Sequence, residues 1–425
     1  MAVTQAIFGI NVAVYIAMVL AGVSMLDNPA GQDLIRFGAN YGPSTISGEW
    51  WRLLTCVFVH GGLLHILFNM WCLWDLGRLA ESVYGHWTFA AVYLITGLSS
   101  SLMSLAWNPA VLSVGASGAI FGIAGALIAS FYLGEFSLPR AAITGTLRSV
   151  VMFVGFNLFF GAAIARTDNA AHIGGLLMGL LLGALIAKVA PLHDDVPRRV
   201  GVLLVGAVLV YGGVAWLRHS HAYILHTQMG HDLLIESKTD QAIAEFQTAT
   251  RQRPDYFPAH YELARAYWLK HDFAGAESEL KRVLEQDPQN EQAYYYLGLA
   301  YLEQNRPQPA RETYERLLQM NPKSADAHFG LGAVAAAEKK YSEALDEFKL
   351  TAKLDPSYDT IDQETGRVQL QLRLYDDAIA SLLKQKAESD SPETENALAS
   401  AYEAKGMHGA AVVAAQRAKE FQDRR

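Results

Sequence analysis

The chain has 425 residues, a net charge of −8 and two cysteines, Cys56 and Cys72. The acidic balance gives no reason to expect nucleic acid, and two cysteines make neither a disulfide framework nor a metal-type spacing, so both are read as packing residues. The charge is unevenly spread: residues 1–220 hold 10 Lys/Arg and 9 Asp/Glu, residues 221–425 hold 24 and 33, and seven of the eight tryptophans lie in the first part. Two different solvents are implied, lipid for the first part and water for the second.

The first apolar run covers residues 6–25. It has no basic flank and no cleavage site followed by a polar mature chain, so it reads as a retained span rather than a signal peptide. Further runs follow near 56–76, 86–107, 117–134, 147–163, 170–190 and 199–217. Such lengths suit a bilayer crossing, and seven in series predict a polytopic helical membrane domain. Glycine and alanine punctuate the runs (GALIAS, GGLLMGLLLGAL, GAVLVYGG), which lets helix backbones approach closely. A polar and aromatic loop, Asn28–Arg52, separates the first two runs; it contains GANYGPST and leads into EWWRLLT. Loops on the opposite side carry Arg78, Arg140, Arg148, Lys188, Arg198 and Arg199, against Arg36, Arg52, Arg166 and Arg218 on the side of the long loop. Six against four favours a cytoplasmic N-terminus. An odd number of spans then puts the C-terminal part outside the cytoplasm.

That part is periodic. Pro254, Pro288, Pro322 and Pro356 are each 34 residues apart, and Ala242, Ala276, Ala310, Ala344 and Ala378 keep the same step, as do Gly298 and Gly332. The pattern looks like tetratricopeptide repeats, pairs of antiparallel helices stacked into a solenoid. Alanine falls where the paired helices cross, and proline at the turn into the next unit, where a missing N–H costs little. Five or six units fit between 223 and 424. The unit 359–392 has lost its closing proline at 390, with Pro392 nearby, and the last unit is displaced by one residue. A solenoid of this kind offers a concave surface for a peptide or protein partner.

Polar groups inside the apolar runs are functional candidates. In HGGLLHILFNM, His65 and Asn69 are four apart and share a helix face. His60 is five residues before His65, about 140° away on a regular helix, and is expected at the helix entrance in a different role. In VGASGAIFG, Ser117 lies between Gly115 and Gly118, which permit a tight turn and expose the backbone N–H beside the serine. In DNAAHIGGLLMG, His172 starts the sixth run, and Gly175, Gly179 and Gly183 form a step-four stripe for close packing. Trp50, Trp51 and Arg52 mark a membrane boundary, with Arg52 suited to staple the long loop. Each feature alone has a bland packing explanation. The second, fourth and sixth runs, however, point the same way, so His60, Ser117 and His172 fall at one depth on the side of the long loop.

That arrangement has a consistent chemistry. A neutral His172 takes the Ser117 proton and returns it to the leaving amine. His65, Asn69 and the Ser117 N–H supply donors for the oxyanion. No carboxylate is expected at the depth needed to orient His172, since Asp168 falls a turn earlier in the loop. A two-residue dyad is therefore favoured over a triad. Two other readings compete. One is a membrane scaffold whose working part is the repeat array. The other is a metal or haem protein using His60, His65 and His172, to which the divergence of His60 and His65 on a regular helix is unfavourable.

Together, Trp51–Arg52, His60…His65…Asn69, Gly115-x-Ser117-Gly118 and Ala171-His172-x-x-Gly175-x-x-x-Gly179 resemble a rhomboid intramembrane serine protease followed by a tetratricopeptide domain. The resemblance covers roughly residues 1–190. It implies Ser117 as nucleophile, His172 as base, and His65 and Asn69 in the oxyanion hole. It also implies a structural His60, a first loop partly in the membrane carrying Trp51 and Arg52, and Gly175 and Gly179 drawing span six onto span four. The fifth span is the expected lateral gate, with the following loop as a cap. Phe121 stands one turn after Ser117, where the family often has tyrosine beneath the catalytic histidine; it keeps the stack and loses the hydroxyl. The fold expected is all-α: a bundle of six core spans in 1–190, a linker and seventh span in 191–220, and a solenoid in 221–425. The implied substrates are single-pass membrane proteins cut near the outer membrane boundary, at a small residue followed by helix-breaking residues. No cofactor or metal is implied. The expected location is a bacterial inner membrane with the repeats outside the cytoplasm.

Overall fold

The computed structural model describes residues 1–24, 29–134, 140–163, 167–191 and 195–423. Their regular elements are helices, and an isolated antiparallel bridge joins Asn40 to Ser113. The chain divides into two compact units, Met1–Gln228 and Met229–Arg425.

The first unit opens with α1 (Ala2–Leu20). The long loop folds into α2 (Gly31–Arg36), α3 (Gly42–Ile46) and α4 (Arg52–Thr55). A helical run follows, made of α5 (Leu63–Cys72), a π-turn at Leu73–Gly77 and α6 (Arg78–Tyr84). Then come α7 (His86–Trp107), α8 (Ser117–Leu133), α9 (Arg140–Ala163), α10 (Asn169–Val189) and α11 (Val196–Ser220). Among the described residues, five helical stretches are long and apolar enough to cross a membrane: Ala2–Leu20, His86–Trp107, Ile143–Gly161, Asn169–Val189 and Val196–Ser220. The remaining two expected spans are α8, which is shorter at 17 residues, and the run from α5 to α6.

The second apolar run departs from its expected form. Residues 56–62 make turns, irregular chain and a bend, not helix, and α5 starts only at Leu63. The cause is local. Gly62 has φ +140°, outside the helical region, so no helix passes through it. Hydropathy does not register this, because a buried apolar loop and a buried helix have the same composition.

Small residues hold the bundle together. Thirteen of the 17 residues of α8 are buried. A Cβ added at Gly175, Gly179 or Gly183 of α10 would lie 2.0, 1.9 or 2.3 Å from the carbonyl oxygen of Gly118, Gly122 or Ala126 on α8. The two helices therefore meet backbone to backbone. On its other side α8 meets α7, where a Cβ at Gly118 or Gly122 would strike Ser100 or Thr96. Lipid offers helices little hydrophobic reason to associate, and such close approach replaces it with van der Waals contact. By contrast, α9 buries little and exposes Val151, Met152, Phe156, Phe159 and Phe160.

Two arginines counted as loop charges are in fact buried staples. Arg199 donates to the carbonyls of Tyr84 (2.7 Å) and Ala190 (3.3 Å), at the ends of α6 and α10. Arg52 donates to the carbonyls of Ile35 and Ala39, pairs with Glu49 and lies 4.5 Å from the Trp51 ring. Each of the two loop sets thus loses one free positive charge, and Arg166 lies outside the described residues.

The second unit is a stack of helical hairpins. The helices α12 (Ala222–Ile235), which belongs to this unit from Met229 on, and α13 (Thr239–Gln252) precede the pairs α14 (Phe257–Leu269) and α15 (Phe273–Gln286), and α16 (Glu291–Glu303) and α17 (Pro307–Met320). They are followed by α18 (Ala325–Ala337) and α19 (Tyr341–Leu354), α20 (Ile361–Gln371) and α21 (Tyr375–Glu388), and α22 (Pro392–Ala404) and α23 (His408–Asp423). The five register alanines are fully buried. A Cβ at Gly298 or Gly332 would meet the ring of Tyr314 at 2.3 Å or Phe348 at 2.5 Å. The turn inside each hairpin holds a left-handed residue: Ser237, His271, Asn305, Lys339 and Arg373, 34 apart, and then Gly406, 33 further on. The displaced last unit therefore begins with a shortened step before its turn.

Candidate active site

The first turns of three helices and the loop before α8 converge on one cavity of about 540 Å3. Its lining includes His65, Asn69, Gly115, Ser117, Gly118 and His172. Ser117 is the first residue of α8, so the leading N–H groups of that helix lack intrahelical acceptors. His172 lies in the first turn of α10, largely buried, with Nε2 2.9 Å from Ser117 Oγ. The Phe121 ring stacks on the imidazole at 4.2 Å with an interplanar angle of 3°. The other ring nitrogen of His172, Nδ1, is buried and has no hydrogen-bond partner among the described residues.

Asp168 is not the missing partner of Nδ1. It caps α10: Oδ1 accepts from the Ala171 N–H at 2.9 Å, and Oδ2 accepts from Ser104 Oγ at 2.6 Å. Both carboxylate oxygens are engaged elsewhere.

Gly115 carries two constraints at once. Its φ is +114°, and a Cβ there would lie 2.7 Å from His65 Cε1 and Nε2 and 3.4 Å from Asn69 Nδ2. A side chain would occupy the space these two groups face. The Gly115 N–H donates to the Cys56 carbonyl at 2.8 Å, and Ser113 exchanges backbone hydrogen bonds with Asn40, which pins the loop entering Ser117 to the long first loop. On His65, Nδ1 accepts from the Gly61 N–H at 3.3 Å. A neutral ring then carries its proton on Nε2, on the side of Gly115.

His60 is placed differently from the sequence expectation. It precedes α5 instead of opening the helix, and it does not diverge from His65. The rings meet edge to face at 5.1 Å. The break at Gly62 folds the chain back, so the helical angle between the two positions has no meaning there. His60 is fully buried, and its Nδ1 lies 3.3 Å from the Phe58 carbonyl, inside the turn that precedes the helix. Trp51 is half exposed and Arg52 is buried beneath the long loop. Gly175 and Gly179 are away from the cavity lining, at the contact between α10 and α8.

Two residues beside the site were not singled out from the sequence. Asn157 of α9 lines the cavity and donates to the Phe153 carbonyl at 2.8 Å. Ser104 of α7 holds Asp168. An asparagine in the apolar run MFVGFNLFF was a readable signal. Ser104 was obscured by serine-rich SSSLMS, which reads as ordinary small-residue packing.

A Rhomboid domain profile matches residues 47–189, and tetratricopeptide repeat profiles match residues 233–297 and 295–359. Rhomboid protease AarA of Providencia stuartii is 32% identical over 205 residues, covering 43% of this chain and 71% of that protein. The chain belongs to the rhomboid family. Rhomboid protease GluP of Bacillus subtilis (strain 168) is 32% identical over 212 residues, 49% of this chain and 40% of that relative. RHOMBOID-like protein 5 of Arabidopsis thaliana is 35% identical over 165 residues, 38% and 52% respectively. The chain thus spans about half the length of these two relatives. The rhomboid family is one of intramembrane serine proteases, and this member joins a rhomboid domain to tetratricopeptide repeats.

Proposed function

We propose that this rhomboid is an intramembrane serine endopeptidase working through a Ser117–His172 dyad. The observation that carries the reading is the 2.9 Å approach of His172 Nε2 to Ser117 Oγ, in a cavity that His65 and Asn69 also line. His172 Nε2 accepts the Ser117 proton as Oγ attacks the scissile carbonyl. The tetrahedral oxyanion takes hydrogen bonds from His65 Nε2–H, the Asn69 amide and the N–H groups opening α8, whose dipole is positive at that end. The imidazolium then protonates the leaving amine, and the C–N bond breaks to leave an acyl-Ser117. Water, deprotonated by His172, releases the second product and restores the hydroxyl. Phe121 fixes the imidazole plane, Gly115 keeps the approach open, Gly118 lets α7 close on the start of α8, and His60 braces the turn before α5. Trp51 and Arg52 shape the first loop. The few contacts of α9 suit a lateral gate for a substrate helix. Within the loop after it, proposed as the cap, residues 164–166 lie outside the described residues.

The proposed substrates are single-pass membrane proteins cut near the outer membrane boundary. The repeats bind a protein partner or the substrate itself. Seven spans, a bacterial inner membrane and repeats outside the cytoplasm complete the reading, and protease accessibility in sealed vesicles tests the orientation.

The test is purified protein in proteoliposomes with a model transmembrane substrate and a fluorophosphonate probe. Wild type is expected to cleave and to be labelled at Ser117. Ser117→Ala and His172→Ala each abolish cleavage. Retained cleavage in either variant overturns the dyad. Absence of both labelling and cleavage in wild type favours a scaffold that displays the repeats.

A further inference from the structure

The proposed dyad depends on a distance between two helices, α8 and α10, and α7 touches the first turn of both. At one level Ser100 lies against Gly118, next to the proposed nucleophile. One turn further along α7, buried Ser104 donates to Asp168 Oδ2 at 2.6 Å. Asp168 in turn grips the start of α10 twice: Oδ1 accepts from the Ala171 N–H at 2.9 Å, and its carbonyl accepts from the His172 N–H itself at 3.2 Å. Between these points Met103 and the Ser99 carbonyl press against Gly174, where a Cβ would lie 2.4 and 3.0 Å from them.

We propose that Ser104 and Asp168 form a positioning clamp that sets the first turn of α10, and so the His172 imidazole, against Ser117. This rests on the protease reading above. His172 has few other restraints. Its Nδ1 has no partner among the described residues, and the Phe121 stack fixes the ring plane while leaving the ring free to slide along that plane. In a catalytic triad a carboxylate bound to the imidazole does the orienting. Here a carboxylate acts one turn away, through the backbone. Asp168 does so as an N-cap, and Ser104 stops the cap from swinging with the loop that precedes it. Neither residue touches the reacting atoms, so both are positioning residues.

The experiment compares full-length wild type with Asp168→Ala, Asp168→Asn, Asp168→Ser, Ser104→Ala and Ser104→Thr in proteoliposomes, measuring kcat and KM and the rate of fluorophosphonate labelling. Misplacement of a catalytic group by about 1 Å costs up to roughly 100-fold in rate. Asp168→Ala is expected to lower kcat and the labelling rate together by between about 10-fold and 100-fold, with KM within about twofold. Asp168→Asn and Asp168→Ser keep a capping oxygen and recover most of the loss. Ser104→Ala falls by a smaller factor in the same direction, and Ser104→Thr restores it. Unchanged kcat in folded Asp168→Ala overturns the clamp. So does an equal loss in Asp168→Ala and Asp168→Asn, which would mean that the charge acts and the cap does not. If Asp168→Ala fails to fold, the kcat of Ser104→Ala against Ser104→Thr decides. Wild type that neither cleaves nor is labelled defeats the protease reading instead, a result distinct from any of these.

Discussion

The two units use glycine in opposite ways. In the membrane unit, Gly175, Gly179 and Gly183 bring α10 against backbone carbonyls of α8. In the repeat unit, Gly298, Gly330 and Gly332 make room for the buried rings of Tyr314 and Phe348. The solvents explain the difference. In lipid, burying an aromatic ring between helices gains little, so the helices close until their backbones touch. In water, aromatic burial is a main source of stability, so the same residue is spent on clearing space for a large side chain. Charge follows the same division. The repeat unit is laced with surface pairs such as Arg311–Glu338, Arg306–Glu277 and Lys384–Asp362. In the membrane unit the buried Arg52 and Arg199 donate to backbone carbonyls, and Arg52 pairs with Glu49 as well.

The contrast can be broken by substitution, most severely at the backbone contact. Gly179→Val should prevent the bundle from assembling, because a side chain would begin 1.9 Å from the Gly122 carbonyl, which cannot yield. Loss of fluorophosphonate labelling together with early thermal aggregation in detergent is the expected result; a stable, labelled variant would refute backbone contact as the organising interaction. Gly298→Ala should be milder. The Tyr314 ring, 2.3 Å from the added carbon, must shift, at a cost of about 1–3 kcal/mol to the repeat unit. Hydrogen exchange should show faster opening around α16 and α17, with Ser117 labelling intact.

Phe121→Ala removes the ring beneath His172. It should lower kcat by roughly 2-fold to 10-fold, the worth of one aromatic stack, with KM little changed. Phe121→Tyr should retain most activity. The smallest effect is one of pH. Hydrogen bonds from Lys340 and Arg311 hold the Glu338 carboxyl below its ordinary value of 4.5. A carboxylate held low stabilises the fold above its unfolded value, and that contribution is lost as pH falls through the folded one. The repeat unit should therefore lose stability below about pH 4.5, and Glu338→Gln should flatten that part of a pH–Tm curve.

Much of the molecule was legible in its residues because the signals were periodic. The 34-residue step placed the hairpins and their buried alanines, and hydropathy marked α7 at His86–Trp107 to the residue. Neither signal reports irregular backbone. The run at 56–76 looked like one span, although its first residues are turns ended by Gly62. A regular helix would set His60 and His65 on different faces, yet they are neighbours in space.

The sequence by itself determined which chemical groups sit in the apolar region: one serine between glycines, histidines at a shared depth, and an asparagine one turn from His65. It also determined the solvent of each half, since charge and apolar runs are one-dimensional properties. Only the tertiary structure decided that His172 Nε2 meets Ser117 Oγ, that Asp168 is spent on a helix cap and on Ser104, and that Asn157 faces the same cavity. The contacts of His172 with Ser117 and of Asp168 with Ser104 join residues 55 and 64 positions apart, set by how closely helices pack rather than by any pattern along one of them.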